Sequence, residues 1–182
     1  MSGYPEPRYH GETGQVSAFH RPASAGPDLV SSSGMKTFYL ATGKPAGKRL
    51  SAPTGGEFGL YHVVDLVPGA GTGTHFHRTM SESFFVTSGS LRVFDGERWV
   101  DAPRNDFLYV PPGGLHAFAN ESDEPVSFLM LFTPGAPREG YFEHVAEVAG
   151  LSQREREDFF LAHDSYFTEP RDQGPRPDGR DE

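Results

Sequence analysis

The sequence has no cysteine, which excludes disulfides, thiolate metal ligands and a cysteine nucleophile. It also has no apolar run of the roughly 18 residues needed for a bilayer-spanning helix, so no membrane span is expected. Positive charge is scarce. Lys and Arg number 16 against 25 Asp and Glu, for a formal net charge of −9. Nucleic acid and anionic lipid both favour basic surfaces, so neither is an expected partner. Residues 1–7 offer neither a basic start nor an apolar stretch. A secretory signal is therefore not expected, and the cytoplasm is the default location. No internal repeat occurs.

Turn formers and aromatics, by contrast, are abundant. The chain holds 22 Gly, 16 Pro and 15 Phe in 182 residues. Many turns combined with many aromatic residues suit a compact all-β protein. Short β-type runs predict strands over 36–41, 59–67, 74–77, 83–87, 90–94, 97–100, 107–110, 116–120 and 126–133. Ser88-Gly89 separates two of these, and Asp95-Gly96 marks a two-residue hairpin turn. Pro111-Pro112-Gly113-Gly114 cannot stay in a paired strand and must be a loop. Successive strands joined by tight turns point to a sandwich or barrel.

The ends read differently. Residues 1–34 are expected to be loosely ordered, with an edge strand over 16–19, and 168–182 to form a disordered tail. The barrel proper is expected over 35–135 and a helical pair over 136–167. Tyr141, Phe142, Val145 and Val148 recur at helical spacing up to Gly150. Ser152 and Glu155 form a capping-box pattern for a second helix ending near Ala162. This pair is expected to pack against the outside of the barrel as a structural cover.

Two segments carry chemistry. The first is Gly69-Ala70-Gly71-Thr72-Gly73-Thr74-His75-Phe76-His77-Arg78-Thr79-Met80-Ser81-Glu82, continuing to Gly89. Side chains alternate along a strand, so His75 and His77 point the same way and can converge on one ion. After a turn at residues 79–81, a strand pairing back brings the Glu82 carboxylate to the same point. Two imidazoles and a carboxylate suit Fe, Mn, Co or Ni, with positions left open for water, O2 or substrate. The second segment is Pro111-Pro112-Gly113-Gly114-Leu115-His116-Ala117-Phe118-Ala119-Asn120. Its strand can deliver His116 as a third imidazole. His62 lies on a strand with its facing left open, whereas His10, His20, His144 and His163 are read as surface residues.

These segments resemble the two motifs of the cupin superfamily. The first motif is a glycine, five residues, His-x-His, three or four residues, Glu, six residues and a glycine. Gly69, His75, His77, Glu82 and Gly89 fit at every spacing. The second is a glycine, five residues, Pro-x-Gly, two residues, His, three residues and Asn. Pro111, Gly113, His116 and Asn120 fit, and Asn105 replaces the opening glycine, a residue that also tolerates left-handed backbone. The resemblance implies a single-domain jelly-roll β-barrel of the cupin type. It assigns His75, His77, Glu82 and His116 as ligands of one divalent transition metal, Fe, Ni, Mn or Co, with Zn as a further candidate.

Fold and metal do not fix an activity. Phe84 and Val86 share strand parity with Glu82, and Phe118 with His116, so all three are expected to face inward as substrate contacts. Apolar walls suit an aromatic or apolar small molecule. The stretch Phe132-Thr133-Pro134-Gly135 leading to Tyr141-Phe142-Glu143 is similar to that after the barrel in one-domain quercetinase-like cupins. That likeness points to a dioxygenase that orients an aromatic or enolic substrate toward O2, with Glu82 as ligand and catalytic proton acceptor. An isomerase, cyclase or lyase on a polyketide-like or keto substrate would need no O2. A non-catalytic small-molecule-binding module is a third reading, although no helix-turn-helix accompanies it. Strands 36–41 and 126–133 offer edges for a homodimer.

Overall fold

A computed structural model describes residues 3–12, 14–43 and 50–168. Twelve strands and two α-helices lie among them: β1 (Leu29–Val30), β2 (Lys36–Thr42), β3 (Ala52–Pro53), β4 (Gly59–Leu66), β5 (His75–Phe76), β6 (Ser81–Ser88), β7 (Ser90–Phe94), β8 (Trp99–Pro103), β9 (Phe107–Val110), β10 (Ala117–Ala119), β11 (Val126–Thr133), α1 (Glu139–His144), α2 (Gln153–Ala162) and β12 (Tyr166–Phe167). The larger sheet runs β1-β2-β4-β11-β6-β9, with β3 parallel to β2. A second sheet runs β10-β7-β8, and β12 pairs with β5. Reciprocal bridges at Gly71–Ala119 and His75–His116 tie the β5 segment to β10. The architecture is an all-β jelly-roll barrel followed by a short helical pair, as expected.

Alternation along the strands sorts the barrel's two faces. Tyr39 of β2, Tyr61 and Val63 of β4, Phe84 and Val86 of β6, and Phe128, Met130 and Phe132 of β11 all point inward and are buried. Leu129 and Leu131, one position out of phase, lie half-exposed on the other face. Truncating a fully buried aromatic such as Phe128 typically costs about 3–5 kcal/mol, so this inward row supplies much of the fold's stability.

The turns hold the strands in register. Asn105, Gly69, Gly89 and Gly113 all have positive φ, with Asn105 at +77°. The left-handed turn thus survives the exchange of glycine for asparagine. The expected two-residue turn at Asp95-Gly96 is longer: β8 begins at Trp99. The Asp95 carboxylate accepts hydrogen bonds from the backbone N–H groups of Glu97 and Arg98, both at 2.9 Å. These bonds hold Glu97 and Arg98 in the loop.

Several expectations are corrected. No strand forms over 16–19, where Val16 and Phe19 are exposed; no neighbouring edge receives them. The ordered part begins earlier than expected, because Leu29 and Val30 pair with Thr37 and Lys36. The helical pair does not lie along the outer wall. Phe142 of α1 packs on the inward-facing Tyr61, Tyr39 and Phe132, with ring centroids 4.9, 6.3 and 6.5 Å away, so the pair caps one end of the barrel. The capping box at Ser152 and Glu155 is present. Beyond α2 the chain returns as β12, which the sequence did not reveal. The expected disordered tail lies, from residue 169 on, outside the described residues. Among the described residues, no helix is long and apolar enough to cross a membrane.

Candidate metal centre

The four expected ligands meet. One nitrogen from each of His75, His77 and His116 and one Glu82 oxygen lie within 4.8 Å of one another, and all four residues are buried. The backbone explains why. His75 N–H donates to His116 O and His116 N–H to His75 O, both at 2.9 Å, so these two residues face each other across the join between β5 and β10. The Pro111-Pro112-Gly113-Gly114 loop folds back, and Gly113 N–H donates to His77 O at 2.7 Å. Glu82 sits on β6 between Phe132 of β11 and Val110 of β9, and its inward parity carries the carboxylate to the same point.

Each imidazole is oriented through its far nitrogen. Nδ1–H of His75 donates to Gly73 O at 2.9 Å, that of His116 to Gly114 O at 3.0 Å, and that of His77 to Asp164 O at 2.5 Å. A carbonyl oxygen can only accept, so each ring carries its proton on Nδ1 and turns Nε2 inward. This is the outer-layer pattern that orients metal-ligating histidines. His77 Nε2 and His116 Nε2 lie 3.1 and 2.9 Å from the same Glu82 oxygen.

The electrostatics favour a cation. Burial pushes the Glu82 carboxyl up, but hydrogen bonds and charge from His116 and His77 outweigh it and hold the group below the usual carboxylate range. Burial pulls His116 down, but the hydrogen bond and charge of Glu82 outweigh that and raise it. Burial, followed by repulsion from His116, lowers His75 to about 3 and keeps it neutral. A buried carboxylate beside three imidazoles whose Nε2 atoms turn inward is a donor set that a divalent transition metal fits once those nitrogens are free of protons.

The expected substrate contacts lie in the barrel interior. Phe84 stands nearest, with its ring centroid 6.3 Å from His116 and 5.6 Å from Phe118. Val86 is fully buried farther along β6. His62 faces the other side of its sheet, within 3.3 Å of Thr87 Oγ1 and beside Phe38. His163, expected at the surface, is half-buried, and its Nδ1–H donates to Phe159 O at 2.8 Å at the end of α2.

Sequence reasoning missed the layer behind the imidazoles. Phe167 of β12 stacks on His75, with centroids 5.1 Å apart and planes at 24°. Asp164 reaches His77 across 87 positions of sequence. No local spacing signals a contact at that separation. Arg138 is a buried cation whose Nη1 donates to His163 O at 2.5 Å and Ser165 Oγ at 3.3 Å.

Comparison with known proteins agrees with this architecture. A family model for the cupin domain matches residues 62–132. The chain is 25% identical over 107 residues to the alginate biosynthesis protein AlgA of Pseudomonas aeruginosa, covering 59% of this chain and 22% of that protein. It is 26% identical over 88 residues to the mannose-1-phosphate guanylyltransferase RfbM of Salmonella typhimurium, covering 48% of this chain and 18% of that protein. The chain thus spans about a fifth of the length of these curated relatives. Among solved structures, KdgF from Halomonas sp. aligns with a TM-score of 0.51 at 16% identity, covering 65% of this chain and 94% of the other. That last likeness is one of fold.

Proposed function

We propose that this chain, which carries a cupin domain, is a metal-dependent enzyme acting on a small aromatic or enolic molecule, with a quercetinase-like dioxygenase as the best-supported reaction. The observation that carries the reading is the buried cluster of three inward imidazoles and one carboxylate beside aromatic walls. Four protein ligands leave one or two places for exogenous ligands in a five- or six-coordinate ion.

His75, His77, His116 and Glu82 would hold the ion, and the donor set suits Fe, Ni, Mn or Co, with Zn also compatible. A bound ion supplies Lewis-acid polarisation of an enol or phenol oxygen and lowers its pKa. Phe84, Val86 and Phe118 would meet the apolar part of the substrate and exclude water. Glu82 would accept the substrate proton.

The test is O2 uptake by metal-loaded protein across flavonols and other enolic compounds, run in parallel without oxygen. Consumption of O2 matched to substrate loss supports the dioxygenase. Its absence with every substrate and metal argues against it. A second reading, an isomerase, cyclase or lyase on a keto or polyketide-like substrate, is favoured by Arg138. That guanidinium is buried, lies close enough to oppose protonation of His116, and leaves Nε without a partner. It would suit an anionic substrate, and turnover without oxygen would support it.

We also read the half-exposed Leu129 and Leu131, together with the exposed Phe85, Phe107 and Tyr109 on the neighbouring strands, as a homodimer face. Light scattering at twice the monomer mass is the expected result. A cytoplasmic location remains the reading that the sequence supports.

A further inference from the structure

The residues after α2 reach the candidate metal centre from outside the barrel. Asp164 follows the end of α2 with φ at +52°, a backbone region that L-residues other than Asn and Asp seldom adopt. Its carbonyl accepts from His77 Nδ1–H. Its carboxylate grips the stretch just beyond His77. Oδ1 accepts from Arg78 N–H at 3.1 Å, and Oδ2 from Thr79 N–H at 2.9 Å and Thr79 Oγ1 at 2.7 Å. One residue therefore fixes both the ring of a ligand and the turn joining His77 to Glu82.

This grip is anchored from two sides. Arg138 of the α1 segment donates to the flanking His163 O and Ser165 Oγ. On the other flank β12 pairs with β5, setting Phe167 opposite His75 and Tyr166 opposite Phe76. A helix cover alone would need apolar packing. It would not need a carboxylate turned onto the ligand-bearing turn.

We infer that Asp164 is a positioning residue for the metal centre, and that through its contacts with His77, Arg78 and Thr79 metal affinity is coupled to the docking of α2 and β12. The inference rests on the four-ligand reading. Coupling is reciprocal: if the docked segment tightens metal binding, bound metal tightens docking by the same factor.

The experiment uses the full chain, Co2+ as the probe, and a temperature at which circular dichroism shows every variant folded. Asp164→Gly keeps the left-handed backbone and removes the carboxylate. Because the main-chain carbonyl that accepts from His77 Nδ1–H is kept, its Co2+ affinity is expected to fall by about 3–10-fold, less than the roughly 10–100-fold cost of losing a ligand's direct outer-layer partner, with a shift in the visible Co2+ bands. Asp164→Asn keeps the backbone preference and one acceptor, and is expected to recover most of the loss. Thr79→Val removes one donor from the other side of the contact and should give a smaller loss in the same direction. In the wild type, Co2+ should slow hydrogen exchange in α2, and this slowing should vanish in Asp164→Gly. Wild-type affinity and spectrum in both Asp164→Gly and Thr79→Val would overturn the inference while leaving the four ligands standing. No Co2+ uptake by the wild type would overturn the four-ligand reading, and the inference with it.

Discussion

Replacing Asn120 should unsettle the barrel without touching the ion. Asn120 is fully buried. Its Nδ2 donates to Leu66 O and Glu124 O, both at 2.8 Å, and its Oδ1 accepts from Ser122 N–H at 3.0 Å and Ser122 Oγ at 2.7 Å. The side chain thus joins the end of β4 to the β10–β11 turn. Asn120→Ala removes all four bonds. A buried acceptor losing its donor costs about 1–3 kcal/mol, and the groups open to water cost less. The expected loss is about 2–4 kcal/mol. With a urea m-value of about 2 kcal/mol/M, the unfolding midpoint falls by roughly 1–2 M at unchanged slope. Asn120→Asp sets a carboxylate against two carbonyl oxygens and should lose at least as much. Co2+ affinity below the transition should stay near wild type, because the side chain touches no ligand. Losses under about 0.5 kcal/mol in both variants, the range of neutral surface changes, would refute the reasoning.

Further outcomes follow from the same geometry. Glu82→Gln removes the only anionic ligand of the cluster, so Co2+ affinity should fall by more than the roughly 10–100-fold cost of an outer-layer loss; competition with a chelator of known affinity measures it. Metal uptake should be pH-dependent. His116 holds its proton above the ordinary imidazole value, so binding displaces a proton, and affinity should fall by up to about tenfold per pH unit below that raised value; buffer-dependent titration heats report the proton. Metal-free stability should follow a different course. The raised His116 contributes fully below its ordinary value of 6.5 and loses its contribution as pH rises through the raised one, whereas the lowered His75 loses its contribution as pH falls from 6.5 toward about 3. Urea midpoints of the metal-free protein should therefore be greatest near pH 6.5, and a monotonic rise with pH would contradict this. Phe142→Ala uncaps the barrel end and should cost about 3 kcal/mol, the low end for a phenylalanine because the ring is half-buried, seen as a lower Tm.

The clustering of the four candidate ligands could be read from the sequence because each sits at a fixed local spacing. His75 and His77 share a strand face by alternation, and Glu82 and His116 follow turns announced by polar and Pro-Gly runs. Strands β7, β9 and β11 were readable at their full bounds for the same reason. Strands β1, β3 and β12 were not, since two residues cannot display a period. Asp164 and Arg138 were hidden by a different cause. Their partners lie far away in sequence, and only the folded chain brings the end of α2 against the turn after His77. The helical pair was visible from its spacing and capping box, but its target was not. Phe142 could serve an outer wall or an open end equally well by pattern, and only its packing on the inward row of Tyr39, Tyr61 and Phe132 at that end decides between them.

The most direct measurement is an anomalous difference map from crystals grown with Co2+, recorded above the cobalt absorption edge. A single strong peak is expected among His75, His77, His116 and Glu82, with Nε2 of each imidazole and a Glu82 oxygen at about 2.0–2.2 Å, as for comparable zinc ligands. A peak elsewhere, or a histidine bound through Nδ1 with its backbone carbonyl contact broken, would contradict the account.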